Sequence, residues 1–398
     1  MRNFKDFINY LFTLFFFSLS LCAQDENIAS IEIINQSNNS KNSIFLKGDL
    51  INVRFDELSN KIKNYYYTFE HCDYKWEKST LFKNEFIEGF DDIRISNYQK
   101  SFNTLQKFIN YSFNISNKKL KISGNYILTV KDNFDKEILK RKFIIVDQYN
   151  IGDIQISRAK ANKIIDTHQN LKVTFNCIEC FYDNNADYKL LVIRNNNFND
   201  FKIINKPTFK TSKKLIYDNV LFEGGDEYLS FDTKNILSTS NKIKKVLNDR
   251  IYNTILYDDL KTMIYTYNPD KNGEFIVNSN NNNNNSTDSD YTLVKFTLNE
   301  ESDFDQNLFI VGGFNNHDLN EKYRLNKLSK NKFGIELKLK QGYYNYKYVK
   351  IKNGALKNIS NFWQTENNYS AILYQKKQTD RYYKIVGFGE KNSFKIVN

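Results

Sequence analysis

Tandem all-β sandwiches of immunoglobulin-like and early-set type, behind an N-terminal export signal, are the architecture the sequence predicts. Three observations predict it. Aromatic residues make up 16% of the 398-residue chain, with 33 Phe and 27 Tyr, and such residues suit a pleated, half-buried surface. Short runs of period-two alternation recur, bounded by Asn, Asp and Ser, and no helical stripe of comparable length appears. Prolines number two and glycines 14, so turns fall to Asn, Asp and Ser, which tolerate left-handed geometry.

The first residues read as a secretory leader over residues 1–23. Arg2 and Lys5 form a positive start, Leu11 to Leu21 is an apolar run, and Cys22-Ala23-Gln24 closes it. The run is short for a transmembrane helix and no stop-transfer pattern follows. Cleavage is expected after Ala23. No later stretch is apolar enough to span a bilayer as a helix, so an exported protein without a transmembrane span is expected.

A first sandwich is expected over residues 25–147. Leu50-Ile51-Asn52-Val53-Arg54-Phe55, Tyr65-Tyr66-Tyr67-Thr68-Phe69, Tyr111-Ser112-Phe113-Asn114-Ile115, Gly124–Val130 and Lys142–Val146 carry its strands. A second is expected over 148–277, with strands at Ile154–Ile156, Leu171–Phe175, Leu190–Ile193, Leu215–Tyr217, Tyr228–Phe231 and Ile264–Tyr267. Residues 278–290 are Asn, Ser, Thr and Asp with almost nothing apolar to bury, which predicts a disordered linker. A third sandwich is expected over 291–390, from Leu308–Val311, Phe333–Leu339 and Gly342–Val349.

The formal net charge is +11. Removing the leader, which carries Arg2, Lys5 and Asp6, lowers it by one. The lysines are scattered and mixed with acids, and export argues against a nucleic-acid partner. Cys177-Ile178-Glu179-Cys180 follows a strand-like segment rather than opening a helix, and no second pair accompanies it, so neither thiol chemistry nor zinc is expected. Cys72 is left over. His71, His168 and His317 are far apart, and none sits in a metalloprotease or nucleophile-elbow setting. Phe222–Glu227 is too short for a phosphate loop. The sequence therefore predicts no catalytic residue, cofactor or metal.

The aromatic runs are a better lead. Neighbours on a strand face opposite ways, so one of each pair is core and the next outward. Tyr66, Trp76, Tyr344 and Trp363 are the candidate contacts with a protein partner, where Tyr and Trp supply most of the energy.

Five segments carry a family resemblance. They are Tyr65–Trp76, Glu85–Asp92 with Tyr98–Gln106, Gly224–Asp232, Tyr265–Asp270 and Phe362–Tyr369. Over about residues 25–390 the chain resembles the type IX secretion system plug proteins. That resemblance implies a non-enzymatic periplasmic protein bound to the outer-membrane translocon barrel, sealing its periplasmic mouth when no substrate passes. It implies no cofactor. Separately, Gly313-Phe314-Asn315-Asn316-His317 and Gly342–Val349 resemble early-set glycogen-binding modules, with His317 where their sugar-stacking Trp stands. This supplies the alternative expectation of a carbohydrate-binding envelope protein using the last domain.

Overall fold

The computed structural model of the chain describes residues 27–41, 43–116, 118–147, 150–176, 186–279, 287–300, 307–352, 354–394 and 396. The expected leader, Cys177 and Cys180 lie outside the described residues. Cys72 is free and buried, and burial above all pushes its thiol up to about 12.

The first sandwich contains β1 (Ile28–Asn35), β2 (Ile44–Leu46), β3 (Ile51–Glu57), β4 (Tyr65–Cys72), β5 (Ile93–Arg94), β6 (Asn97–Lys100), β7 (Ile109–Ile115), β8 (Gly124–Asp132) and β9 (Glu137–Val146). One sheet runs β1-β3-β7-β6 and the other β2-β9-β8-β4-β5. Alternation fills the core between them: Ile51, Val53 and Phe55 from β3 meet Tyr65, Tyr67 and Phe69 from β4.

The second sandwich starts with β10 (Gly152–Arg158), β11 (His168–Asn176), β12 (Asp187–Arg194), β13 (Phe201–Ile204), β14 (Phe209–Lys210) and β15 (Lys214–Glu223). The chain then leaves it to build the third: β16 (Leu229–Asp232), β17 (Ile243–Asn248), β18 (Tyr252–Leu256), β19 (Asp259–Leu260), β20 (Phe275–Val277), β21 (Tyr291–Asn299), β22 (Asn307–Val311), β23 (Asn326–Ser329), β24 (Lys332–Lys340), β25 (Gly342–Lys352) and β26 (Ala355–Asn358). It returns with β27 (Asn368–Lys376) and β28 (Lys384–Asn392). β27 pairs with β12 from Asp187↔Lys376 to Arg194↔Tyr369, completing the sheet β13-β12-β27-β28 opposite β10-β11-β15-β14.

This pairing departs from the expected boundaries after residue 147. The second sandwich is discontinuous, and the third is inserted between β15 and β27. β16 to β20 belong to the third sandwich rather than the second, and Ile264–Tyr267 is not a strand. Periodicity reports that a segment is a strand but not which sheet it joins. The polar stretch 278–290 is likewise no boundary, because β20 and β21 on either side of it serve the same core. Residues 280–286 lie outside the described residues, but Ser279, Thr287, Ser289 and Asp290 are buried. A polar residue can be buried where hydrogen bonds meet it, which composition does not reveal.

The first and second sandwiches share a further core. β9 sends Phe143 and Ile145 into the first sandwich and Ile144 and Val146 out of it. β12 sends Leu190 and Val192 into the second, with Leu191 and Ile193 facing out. Ile144, Val146, Leu191, Ile193, Ile372 and Tyr374 pack into one apolar layer. Continuous apolar runs such as Phe143–Val146 and Leu190–Ile193 are the mark of strands buried on both faces.

Candidate functional site

The four candidate contact residues are not brought together. Tyr66 lies on the outward face of β4, half-buried, in register with Arg94 and Lys131. Tyr344 is 1% exposed and belongs to the third core, stacked against Phe231 and Phe275, with its hydroxyl donating to Lys340 O at 2.5 Å. It cannot meet a partner. The alternation puts Tyr344, Tyr346 and Tyr348 inside and leaves Tyr343 half-buried on the other face.

Trp76 is an internal anchor between the first two sandwiches. Its ring meets Phe198 edge-on at 4.9 Å, and Lys142 Nζ sits 4.9 Å from its centroid. Its φ of 69° is unusual for a bulky residue. The turn enforcing it is held by Asp73, whose Oδ1 accepts the N–H groups of Lys75 and Glu77. Trp363 is half-buried under the Arg158 guanidinium, 5.0 Å from its ring. Its carbonyl accepts Gln169 Nε2 at 2.7 Å.

Several of the segments that carry the family resemblance meet at the junctions between sandwiches. The chain enters the third sandwich through residues 224–228 and leaves through 359–367, and the two passages run against each other. Phe362 N–H donates to Gly225 O at 2.9 Å, Thr365 Oγ1 to the same oxygen at 2.9 Å, and Asn367 Nδ2 to Gly224 O at 2.9 Å. A Cβ on Gly224 would stand 1.9 Å from Phe362 O, so only glycine allows the crossing. Tyr265 Oη donates to Glu227 Oε1 at 2.7 Å, and Glu366 N–H reaches the same oxygen at 3.1 Å. Burial is the main cause that raises the Glu227 carboxyl to about 7. The segments 224–232, 265–270 and 362–369 thus form one double connection.

The segment 98–106 performs the same duty between the first and third sandwiches. Phe102 N–H donates to Thr287 O at 3.1 Å, and Asp290 accepts the N–H groups of Leu105 and Gln106 at 2.5 and 3.1 Å. Beside this lies a buried ion pair, Asp56 with Lys340 at 2.5 Å, the side chains 0% and 1% exposed. Asp56 also accepts Tyr291 Oη at 2.6 Å and Asn110 Nδ2 at 2.6 Å. Lys340 Nζ lies 4.0 Å from the Phe108 ring centroid. Sequence reasoning missed Asp56, Lys340 and Tyr291. On β3 the order Phe55-Asp56-Glu57 reads as an inward apolar residue followed by outward charges.

His317 does not stand as an open stacking face. It is buried, at φ 53°, against the edge of Tyr228, and burial above all lowers its imidazole to about 3. An apolar surface is exposed elsewhere, beside the double connection. Met263 and Ile264 are 77% and 80% exposed, and Tyr267 packs on the exposed Phe394 at 5.5 Å. Among the described residues no helix is long and apolar enough to cross a membrane.

Residues 28–147 match the family described as the type 9 secretion system plug protein 1st domain. These are the residues of the first sandwich. A crystal structure of a hypothetical protein from Parabacteroides merdae ATCC 43184, at 2.30 Å resolution, is similar with a TM-score of 0.86 and 23% identity, over 93% of this chain and 98% of that one. At that identity the likeness speaks for the fold. The partial N-terminal region of enterococcal surface protein (TM-score 0.17, 7% identity, 94% of this chain and 96% of that one) carries no argument. The three N-terminal domains of the bacteriophage RB49 outer capsid protein Hoc (0.15, 10%, 93% and 100%) carry none either. No curated protein matches.

Proposed function

We propose that this protein is a non-enzymatic plug of the type 9 secretion system, held in the periplasm at the outer-membrane translocon barrel and sealing it when no substrate passes. The observation that carries the reading is the family match over residues 28–147. The physical demand on such a part agrees with the structure. A seal must resist deformation, and here a shared apolar layer, a buried ion pair and a double connection join three sandwiches into one body. Partner binding falls to outward surfaces such as Tyr66 and the Met263–Tyr267 segment, since Tyr344 and Trp76 are occupied internally.

Deletion of the gene tests the reading. Outer-membrane permeability to bulky antibiotics should rise while the barrel is present, and deleting the barrel as well should restore the barrier. Unchanged permeability with an unoccupied barrel present would overturn the proposal.

A further inference from the structure

A cleft of about 480 Å³ lies between the second and third sandwiches, and its charges do not balance. Four cations, Arg194, Lys202, Lys347 and Lys357, line it with two carboxylates, Asp200 and Glu223. Both carboxylates are already engaged. Asp200 is held by Arg194 at 2.5 Å and Glu223 by Lys357 at 2.5 Å. That leaves Lys347 and Lys202 in excess. Among the described residues neither has a carboxylate within ion-pair distance.

Lys347 reaches the cleft from β25, with its ammonium over the Tyr228 ring at 4.7 Å. The other acids whose charge it senses, Asp226 and Asp270, stand outside the lining of the cleft and accept backbone N–H groups. Asp270 accepts the N–H groups of Tyr228 and Asn272, and Asp226 that of Glu227. Burial above all, and then the neighbouring Arg194 guanidinium, lower the Lys347 ammonium to about 8. Lys202 stands at the exposed rim, over the Phe222 ring at 5.5 Å. His317 lines the same cleft, is 6% exposed, and its Nδ1 is buried with no hydrogen-bond partner. Burying an imidazole nitrogen without a partner is costly unless something meets it.

We propose that this cleft is a binding site for a small molecule carrying a phosphoryl group. A phosphoryl group offers three acceptor oxygens that are not coplanar, which suits donors converging from two domains. Lys347 supplies the central contact, Lys202 closes the rim, and His317 meets one oxygen from the floor. Because β25 belongs to the third sandwich and β13 to the second, the ligand bridges the domains.

The test is calorimetric titration of the full mature chain at constant ionic strength, with inorganic phosphate and with glycerol 1-phosphate as probes and chloride as the reference. Saturable binding is expected. Lys347→Gln should weaken it at least about tenfold, the scale of one charge-assisted hydrogen bond, while Lys347→Arg retains most of it. Lys160→Gln, which removes an exposed charge elsewhere, should leave it unchanged. Tighter binding of glycerol 1-phosphate assigns an organic phosphate ester as the ligand; equal or tighter binding of inorganic phosphate assigns the free anion. If the melt of Lys347→Gln shows misfolding, Lys202→Gln is the second variant and should weaken binding severalfold. Absence of saturable binding by both probes, or equal losses in the cleft variants and Lys160→Gln, overturns the proposal.

Discussion

Replacing Lys340 with Met should loosen the junction between the first and third sandwiches by several kcal/mol. The aliphatic stem of Met fills most of the space of the lysine stem, so the perturbation is the loss of the ammonium. Asp56 would then stay wholly buried with two of its three hydrogen bonds, those from Asn110 and Tyr291. Breaking one side of a buried ion pair costs about 3–5 kcal/mol, and the two surviving bonds place this case near the lower end. Urea unfolding followed by fluorescence measures it, with each transition read separately because a chain of three domains need not unfold in one step. The effect should persist at high salt, since a buried pair is poorly screened. The double variant Asp56→Asn with Lys340→Met should recover at least half of the loss, because the uncompensated charge is gone. The reasoning fails if Lys340→Met stays within about 1 kcal/mol of wild type, or if the double variant is no more stable than the single one.

Trp76→Ala should lose about 2 kcal/mol of stability, less than a fully buried Trp because the ring is half-exposed. Trp76→Gly should be less harmful than Trp76→Ala by roughly 0.5–1 kcal/mol, since glycine accepts φ 69° without strain; the two melts should invert if the turn geometry is wrong. Gly224→Ala should abolish soluble folded protein, as the obstructing atom at 1.9 Å is backbone; a normal circular-dichroism melt would contradict the close crossing. His71 is held neutral, its imidazole lowered to about 4 mainly by burial. Its contribution to stability is therefore complete above the unfolded value near 6.5 and declines as pH falls from there toward 4. By pH 5 the loss should be about 2 kcal/mol, so the stability gap between wild type and His71→Gln should narrow from pH 7 to pH 5; parallel pH profiles would refute this.

Many of the strands were legible in the sequence, while their partnerships were not. Ile51-Asn52-Val53-Arg54-Phe55 declares a half-buried strand because its neighbours alternate, and β3 forms there. Leu190–Ile193 announces a strand with equal clarity, yet nothing in its composition says that it pairs with Ser370–Leu373, some 180 residues later by chain position. The clearest compositional break, residues 278–290, misled for a related reason. Its described ends are polar but are met by Gln341, Phe102, Leu105 and Gln106 from other elements. The candidate contacts divided along the same line. Tyr66 and Tyr344 look alike as members of tyrosine-rich strands, and only register separates the outward ring from the core one.

The insertion itself limits how the body can move. A domain joined to its neighbour by one segment can rotate about it, whereas two passages crossing at Gly224 and Phe362 restrain rotation in both directions. Hinging the third sandwich away from the second would also separate Glu227 from Glu366. It would pull Asp290 from Leu105 and Lys340 from Asp56 if the first sandwich stayed with the second. The first and second cannot part readily, because Ile144, Val146, Leu191 and Ile193 would all be exposed to water, at roughly 1.5–3 kcal/mol for each side chain. Release of such a body from a partner would therefore proceed by displacement of the whole unit, with the cost set at its outward surface rather than inside it.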